Sequence, residues 1–361
     1  MWNRILSKAG TPVTLLLLTA LPVAGQTTLP RTSDGHPDLQ GVYDLSMMTP
    51  MERLPGDPPF LTKEKAEALQ KAEMARRAQD NLPDSPDRPA PPVGGVKTVP
   101  KSFFEILERA GGGAVGGYNR YWLNQGAAFT VVDGQVRTSI VVDPPDGHVP
   151  PYNATAKKRM AAAVRATPTS DTRESQDPTA EPPGAFDNPE QRPLGERCLL
   201  GFGSTSGPPA LPDYFYNDLH QIVQTPDSIL ILSEMVHDAR VVRMNAQHLP
   251  KNIRRWMGDS VGHWEGETLV VDTTNFNDKT RFRNSTENLH VVERFTRVDD
   301  KTLLYRFTVE DPDTWDRSWT GEYTWPLTNK PIYEYACHEG NYALADILSG
   351  ARKQDSERAK K

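Results

Sequence analysis

From residue 198 onward the chain changes to strand-like segments, with turn signals and no helices between them. Segments near 220–225, 228–236, 239–245, 261–264, 267–273, 289–298, 301–310, 318–326 and 332–337 are rich in β-branched and aromatic residues. Asp299-Asp300 and Gly266 are turn candidates between neighbours. Strands that follow one another so closely, without helices between them, pair antiparallel. Closing the sheet into a barrel removes the edges that a long open sheet exposes. The expected fold is therefore mainly β, an antiparallel barrel or barrel-like domain, with a two-sheet sandwich as the alternative.

The upstream half decorates that region. Pro37 to Leu45 reads as a turn entering a first strand. Residues 62–80 form the long helix: Thr62 can cap it, and Ala66, Leu69, Ala72, Met74 and Ala75 make a narrow apolar stripe. Residues 127–142 read as a hairpin turning at Asp133-Gly134, a pair suited to the positive φ of a tight turn. A short helix is expected at 154–165, and Pro-rich loops at 81–100 and 167–193. The organisation is thus an N-terminal signal at 1–25, decorations packed on the barrel at 26–200, the main β region at 201–350 and a solvated basic tail at 351–361.

Residues 1–25 carry a short basic start at Arg4 and Lys8, an apolar run around Leu15–Leu18, and small residues ending at Gly25. That is the pattern of a cleaved secretory signal, and the run is too short for a membrane span. A periplasmic or secreted location follows as the expectation. In an oxidising compartment the two cysteines, Cys198 and Cys337, most simply pair. Two buried thiols or a cysteine nucleophile are the alternatives. The formal net charge of −6, with acids and bases mixed along the chain, gives no footprint for nucleic acid or an anionic membrane.

Several long strings resemble a family of exported bacterial proteins: Ile253 to Ser260, Gly262 to Val271, Thr273 to Phe276 and Pro331 to Tyr342. Asp143 to Gly147 and Ser233 to Arg240 fit the same family. That family is uncharacterised, so the resemblance implies bacterial origin and export but no reaction. Gly41-Val42-Tyr43 also resembles the Gly-x-Trp start of lipocalin-like barrels, with Tyr in place of Trp.

Charged residues inside apolar strands mark the candidate chemistry, because an unpartnered buried charge is costly. Ile229 to Leu232 runs straight into Ser233-Glu234-Met235-Val236-His237-Asp238-Ala239-Arg240. On strand periodicity Glu234, Asp238 and Arg240 share a face and His237 takes the other. Such a wall can carry His237 as acid or base and Arg240 as an anion grip; a turn with an internal Asp–Arg bridge is the plainer reading. His338-Glu339 follows Cys337, and a rigid imidazole beside carboxylates suits proton transfer. Trp256, Arg281 and Tyr335 are candidate substrate contacts, although aromatic residues also simply fill cores.

His263 and Glu265 share a strand face near Asp272, and with His237, His290 or His338 could bind a divalent metal. No His-x-x-x-His or Cys-x-x-Cys spacing supports one, so no cofactor is expected and a metal stays the alternative. There is no Gly-x-Ser-x-Gly elbow, and Gly111 to Gly117 lacks the Lys-Ser/Thr of a phosphate loop.

The expected function is a periplasmic or secreted enzyme acting on a small, partly apolar or aromatic molecule by cofactor-independent acid–base chemistry: a lyase, isomerase or hydrolase. His237, Asp238, Arg240, His338 and Glu339 are its catalytic candidates, with Glu234, Trp256, Arg281 and Tyr335 for binding. A non-catalytic small-molecule carrier and a structural envelope protein are the alternatives, and the oligomeric state is left open.

Overall fold

The computed structural model describes residues 29–80, 126–166, 186–192, 194–201, 207–212, 216–279 and 282–360. The expected signal at 1–25, the segment 81–100 and most of 167–193 expected as loops, the glycine cluster and Arg281 lie outside them.

Nine strands close into a β-barrel. In ring order they are β1 (Gly41–Asp44), β6 (Leu219–Gln224), β7 (Ser228–Ser233), β8 (Ala239–Met244), β9 (Asp259–Glu265), β10 (Thr268–Thr274), β11 (His290–Arg297), β12 (Thr302–Glu310) and β13 (Trp319–Thr328). The ring closes where β1 pairs β13, Val42 opposite Thr328 and Tyr43 opposite Leu327. The expected barrel is present, but it is not wholly antiparallel. A ring of nine strands cannot alternate direction all the way round, so at least one junction must be parallel. That junction is β8–β9, only three residue pairs long, from Val242 opposite Ser260 to Met244 opposite Gly262. The crossover that a parallel pair requires is the irregular stretch 245–258 rather than a helix.

Alternation along the strands fills the interior. On β11 Val291, Glu293, Phe295 and Arg297 are buried, and on β12 Leu303, Tyr305, Phe307 and Val309. Tyr305 and Trp325 lie 4.8 Å apart between ring centroids, and Phe295 meets Trp325 edge-on at 5.4 Å. Gly321 is glycine because a Cβ there would sit 2.2 Å from the Phe307 ring. At Gly41, φ is +144° and a Cβ would meet Leu327. The Tyr43 hydroxyl beside it donates to the Leu39 carbonyl at 2.8 Å.

The decorations pack outside. β3 (Val131–Val132) and β4 (Gln135–Arg137) form the expected hairpin, with φ of 51° at Asp133 and 74° at Gly134. It is shorter than its pattern suggested: β2 (Phe60–Leu61) pairs β4 on the other side, and β5 (Val141–Asp143) leaves to pair β13. Thr130 and Thr324 share a hydroxyl contact of 2.9 Å, and Arg137 pairs Glu322 at 2.7 Å, joining this layer to the outer face of β13.

Three α-helices lie among the described residues: α1 (Lys63–Asp80), α2 (Ala154–Ala166) and α3 (Tyr342–Arg358). The Thr62 hydroxyl accepts the Lys65 N–H at 3.2 Å, the cap its position implied. Among the described residues no helix is long and apolar enough to cross a membrane.

One expectation fails at the C-terminus. Residues 332–337 are irregular rather than a strand. Pro331 has no N–H to give, and the Tyr333 N–H goes to the Glu234 carboxylate at 2.8 Å instead of to a ladder. The basic tail is helical through Arg358, as its Ala, Lys, Arg, Gln and Glu content favours.

Candidate functional site

The β7–β8 corner is built around a buried carboxylate. Glu234, just past the end of β7, accepts N–H groups from Tyr333 at 2.8 Å and Leu219 at 3.3 Å. It ties two barrel strands to the C-terminal segment. Burial raises its carboxyl above the ordinary range, against the opposing pull of these hydrogen bonds.

A single 3₁₀ turn, Met235–His237, follows. Val236 has φ 60° and His237 φ 47°, two successive left-handed residues that are not glycine. Such conformations cost about 1–3 kcal/mol each and persist only where surroundings enforce them. The surroundings are identifiable. Met235 and Val236 pack with Tyr335, against Tyr216 and Cys337. Cys337 is bonded to Cys198, the disulfide expected from the cysteine count. Asn341 donates to the Glu196 carbonyl at 2.7 Å on the same patch. The Ser233 N–H meets the Asp238 carbonyl at 2.8 Å and closes the corner.

This turn removes the shared strand face expected for Glu234, Asp238 and Arg240. Glu234 is buried under the 331–341 segment, Asp238 is half-exposed and His237 exposed. Arg240 is inside the barrel, where its Nη1 and Nη2 reach Glu293 Oε2 and Oε1 at 2.5 and 2.8 Å. Tyr305 donates to the same Oε1 at 2.8 Å and accepts the Ala210 N–H at 3.0 Å. Burial first, then the Glu293 charge, pushes the Tyr305 phenol well above its usual range, which keeps it a donor. The Arg240 charge is therefore matched internally.

Beside the corner the parallel seam splays open. Arg240 and Val241 pair with β7 on one side, whereas β9 is reached only from Val242. The gap is a groove of about 360 Å³ whose lining includes Leu199, Leu200, Asp238, Val241, Arg255 and Trp256. Val241 is 52 % exposed and Trp256 and Leu199 each 42 %. The far wall is fixed: the Arg255 N–H meets the Asn275 carbonyl at 3.0 Å, and the Asn277 N–H meets the Arg255 carbonyl at 2.9 Å. Gly258 completes the turn at φ +71°, where a Cβ would sit 2.7 Å from the Thr274 carbonyl oxygen.

The fold thus brings Asp238, Trp256 and part of Arg240 to one groove, with Glu234, His237, Tyr335 and the disulfide at the adjoining corner. His338 and Glu339 are exposed in the turn after Cys337, and among the described residues neither side chain forms a hydrogen bond or ion pair.

Two features escaped the sequence reading. One is Glu293, hidden because its partner is 53 residues away. The other is a chain of acids and imidazoles on the outer wall. His248 contacts Asp259 through Nδ1 at 3.2 Å and Asp272 through Nε2 at 3.0 Å, and His290 Nε2 meets Asp272 at 3.1 Å. Burial pushes the Asp272 carboxyl up, but the bonds from His290 and His248 outweigh it and hold it below the usual range. The bond to Asp272 raises His290. Asp272 and His290 were candidate metal ligands in the sequence; His248 and Asp259, which complete the chain, were not. His263 pairs Glu265 at 3.2 Å, and Glu265 also takes Arg294. Among the described residues no group of three or more His, Cys, Asp or Glu side chains is arranged to hold a metal ion.

Compared with family models, curated proteins and solved structures, the chain finds no match.

Proposed function

We propose that this protein is a periplasmic or secreted enzyme that binds a small, partly apolar or aromatic molecule in the seam groove. It acts by cofactor-independent acid–base chemistry, as a lyase, isomerase or hydrolase. The observation that carries this reading is the convergence of the Asp238 carboxylate, the exposed Arg255 side chain and the exposed Trp256 indole on a groove next to an enforced left-handed turn. Strained backbone and concave, largely apolar sites with few polar groups are both typical of functional centres. Asp238 is the proton-transfer group facing the groove, with the adjacent His237 as its partner. Glu234 and the disulfide position them.

The test is untargeted mass spectrometry of a periplasmic small-molecule extract incubated with wild type, Asp238→Asn or His237→Ala. Compounds consumed by wild type and spared by both variants are the expected result. Compounds retained by wild type but unchanged would favour the second reading, a carrier. That reading draws on the absence of any contact joining His338 or Glu339 to His237 among the described residues. No consumption and no retention would overturn both.

A further inference from the structure

We infer that the groove selects a flat aromatic molecule bearing an anionic substituent, a carboxylate or sulfonate, with the ring against Trp256 and the anion on Arg255. This rests on the groove being the small-molecule site and adds the class of ligand.

Four arginines surround the seam, at 240, 243, 254 and 255, and three of them are matched. Arg240 is 4 % exposed and binds Glu293 with both terminal nitrogens. Arg243 holds both oxygens of Asp259 at 2.9 and 3.0 Å. Arg254 donates to the Phe276 and Glu287 carbonyls at 3.0 and 2.8 Å and lies 3.4 Å from the Glu287 carboxylate. Arg255 differs from all three. Its side chain is exposed, it lines the groove, and among the described residues its guanidinium makes no hydrogen bond or ion pair. A guanidinium is a planar fork of donors matched to carboxylate-like anions.

Its neighbour supplies the other half of the recognition. Trp256 offers an indole to the same groove, and Val241, Leu199 and Leu200 form the apolar wall. Arg255 and Trp256 cannot drift apart, because the Arg255 backbone is bridged to Phe276 and held by Asn275 and Asn277. A site that is fixed before binding loses little entropy on holding a rigid ring. Its volume, about 360 Å³, lies at the small end of ligand sites and suits one or two rings rather than an extended polymer.

The test uses two dyes with the same aromatic body, 8-anilinonaphthalene-1-sulfonate and uncharged N-phenyl-1-naphthylamine, titrated by fluorescence into the full mature protein. Arg255→Gln and Trp256→Leu are compared with Arg317→Gln, an exposed arginine paired with Asp143 elsewhere on the barrel. Unchanged far-ultraviolet circular dichroism and a cooperative thermal transition confirm that each variant is folded. The sulfonate should bind about tenfold tighter than the neutral dye. Arg255→Gln should erase that difference, Arg317→Gln should keep it, and Trp256→Leu should weaken both dyes. Equal binding of the two dyes, with both weakened by Trp256→Leu, overturns the anion assignment and leaves the groove as a site. Binding that ignores Trp256 overturns the groove as well.

Discussion

Arg240 and Glu293 face each other across the barrel interior from β8 and β11, joined by two hydrogen bonds of 2.5 and 2.8 Å with neither side chain more than 4 % exposed. β11 is not a neighbour of β8 in the ring. The pair therefore reaches across the core, stapling the strand that borders the parallel seam to the far wall.

Removing one member leaves the other charged and dry. Arg240→Met should destabilise the fold by about 3–5 kcal/mol, because the Glu293 carboxylate keeps only the Tyr305 hydroxyl and its desolvation is uncompensated. The double variant Arg240→Met/Glu293→Leu should recover most of that loss. Urea denaturation of the three proteins checks this. A single-variant loss below about 1 kcal/mol would mean the pair is water-screened after all.

The turn at Val236 and His237 predicts an opposition between stability and function. His237 is exposed, so replacing it with glycine removes little packing and releases the strain of φ 47°. The gain is partly offset by the greater freedom of glycine in the unfolded chain, and His237→Gly should stabilise by up to about 1 kcal/mol. Turnover of whatever substrate the extract screen yields should fall. A variant that is both destabilised and fully active would contradict the role given to this turn.

The outer-wall imidazoles give a pH signature with a worked sign. Asp272 is lowered in the folded state, so its contribution is present above the ordinary carboxylate value of 3.8 and is lost as pH falls through the folded value. His290 is raised, so its contribution is complete below 6.5 and is lost as pH rises through the folded value. Resistance to urea should therefore peak between those limits. His290→Asn should flatten the alkaline limb, and Asp272→Asn both limbs. An alkaline limb unchanged in His290→Asn would remove the pair from the account.

The barrel strands were legible because their alternation is real geometry: the β11 run shows one buried residue in two along its whole length. The same rule failed at Tyr333 to Cys337, which alternates equally well but gives its first N–H to a side chain. Apart from Pro331 at its head, nothing local separates the two cases; the difference lies in Glu234, about 100 residues upstream. The parallel seam was illegible for a related reason. Its crossover, 245–258, contains no helix to announce it, and the constraint comes from the odd number of strands rather than from any residue. Charge inside apolar strands did mark Glu234 and Arg240 as unusual. It could not reveal that Arg240 turns inward to Glu293 while Arg255, in an ordinary polar stretch, is left facing the groove.

The Cys198–Cys337 bridge connects these levels and is open to a direct test. It joins residues 139 apart and holds the 331–341 segment over the β7–β8 corner, where Tyr335 covers Met235 and Val236 and the Tyr333 N–H meets Glu234. On chain-entropy grounds its loss should lower stability by about 2–5 kcal/mol, with the long loop favouring the upper end. The more specific consequence is local. Without the tether the buried cover loosens first, so amides at 235–238 should exchange faster in Cys198→Ser/Cys337→Ser than in wild type, while those of β11 and β12 keep their protection relative to the new global stability. The strained turn should then relax, and dye binding in the adjacent groove should weaken although no groove residue has changed. Hydrogen exchange that accelerates uniformly across the barrel would assign the disulfide to global stability alone and detach it from the site.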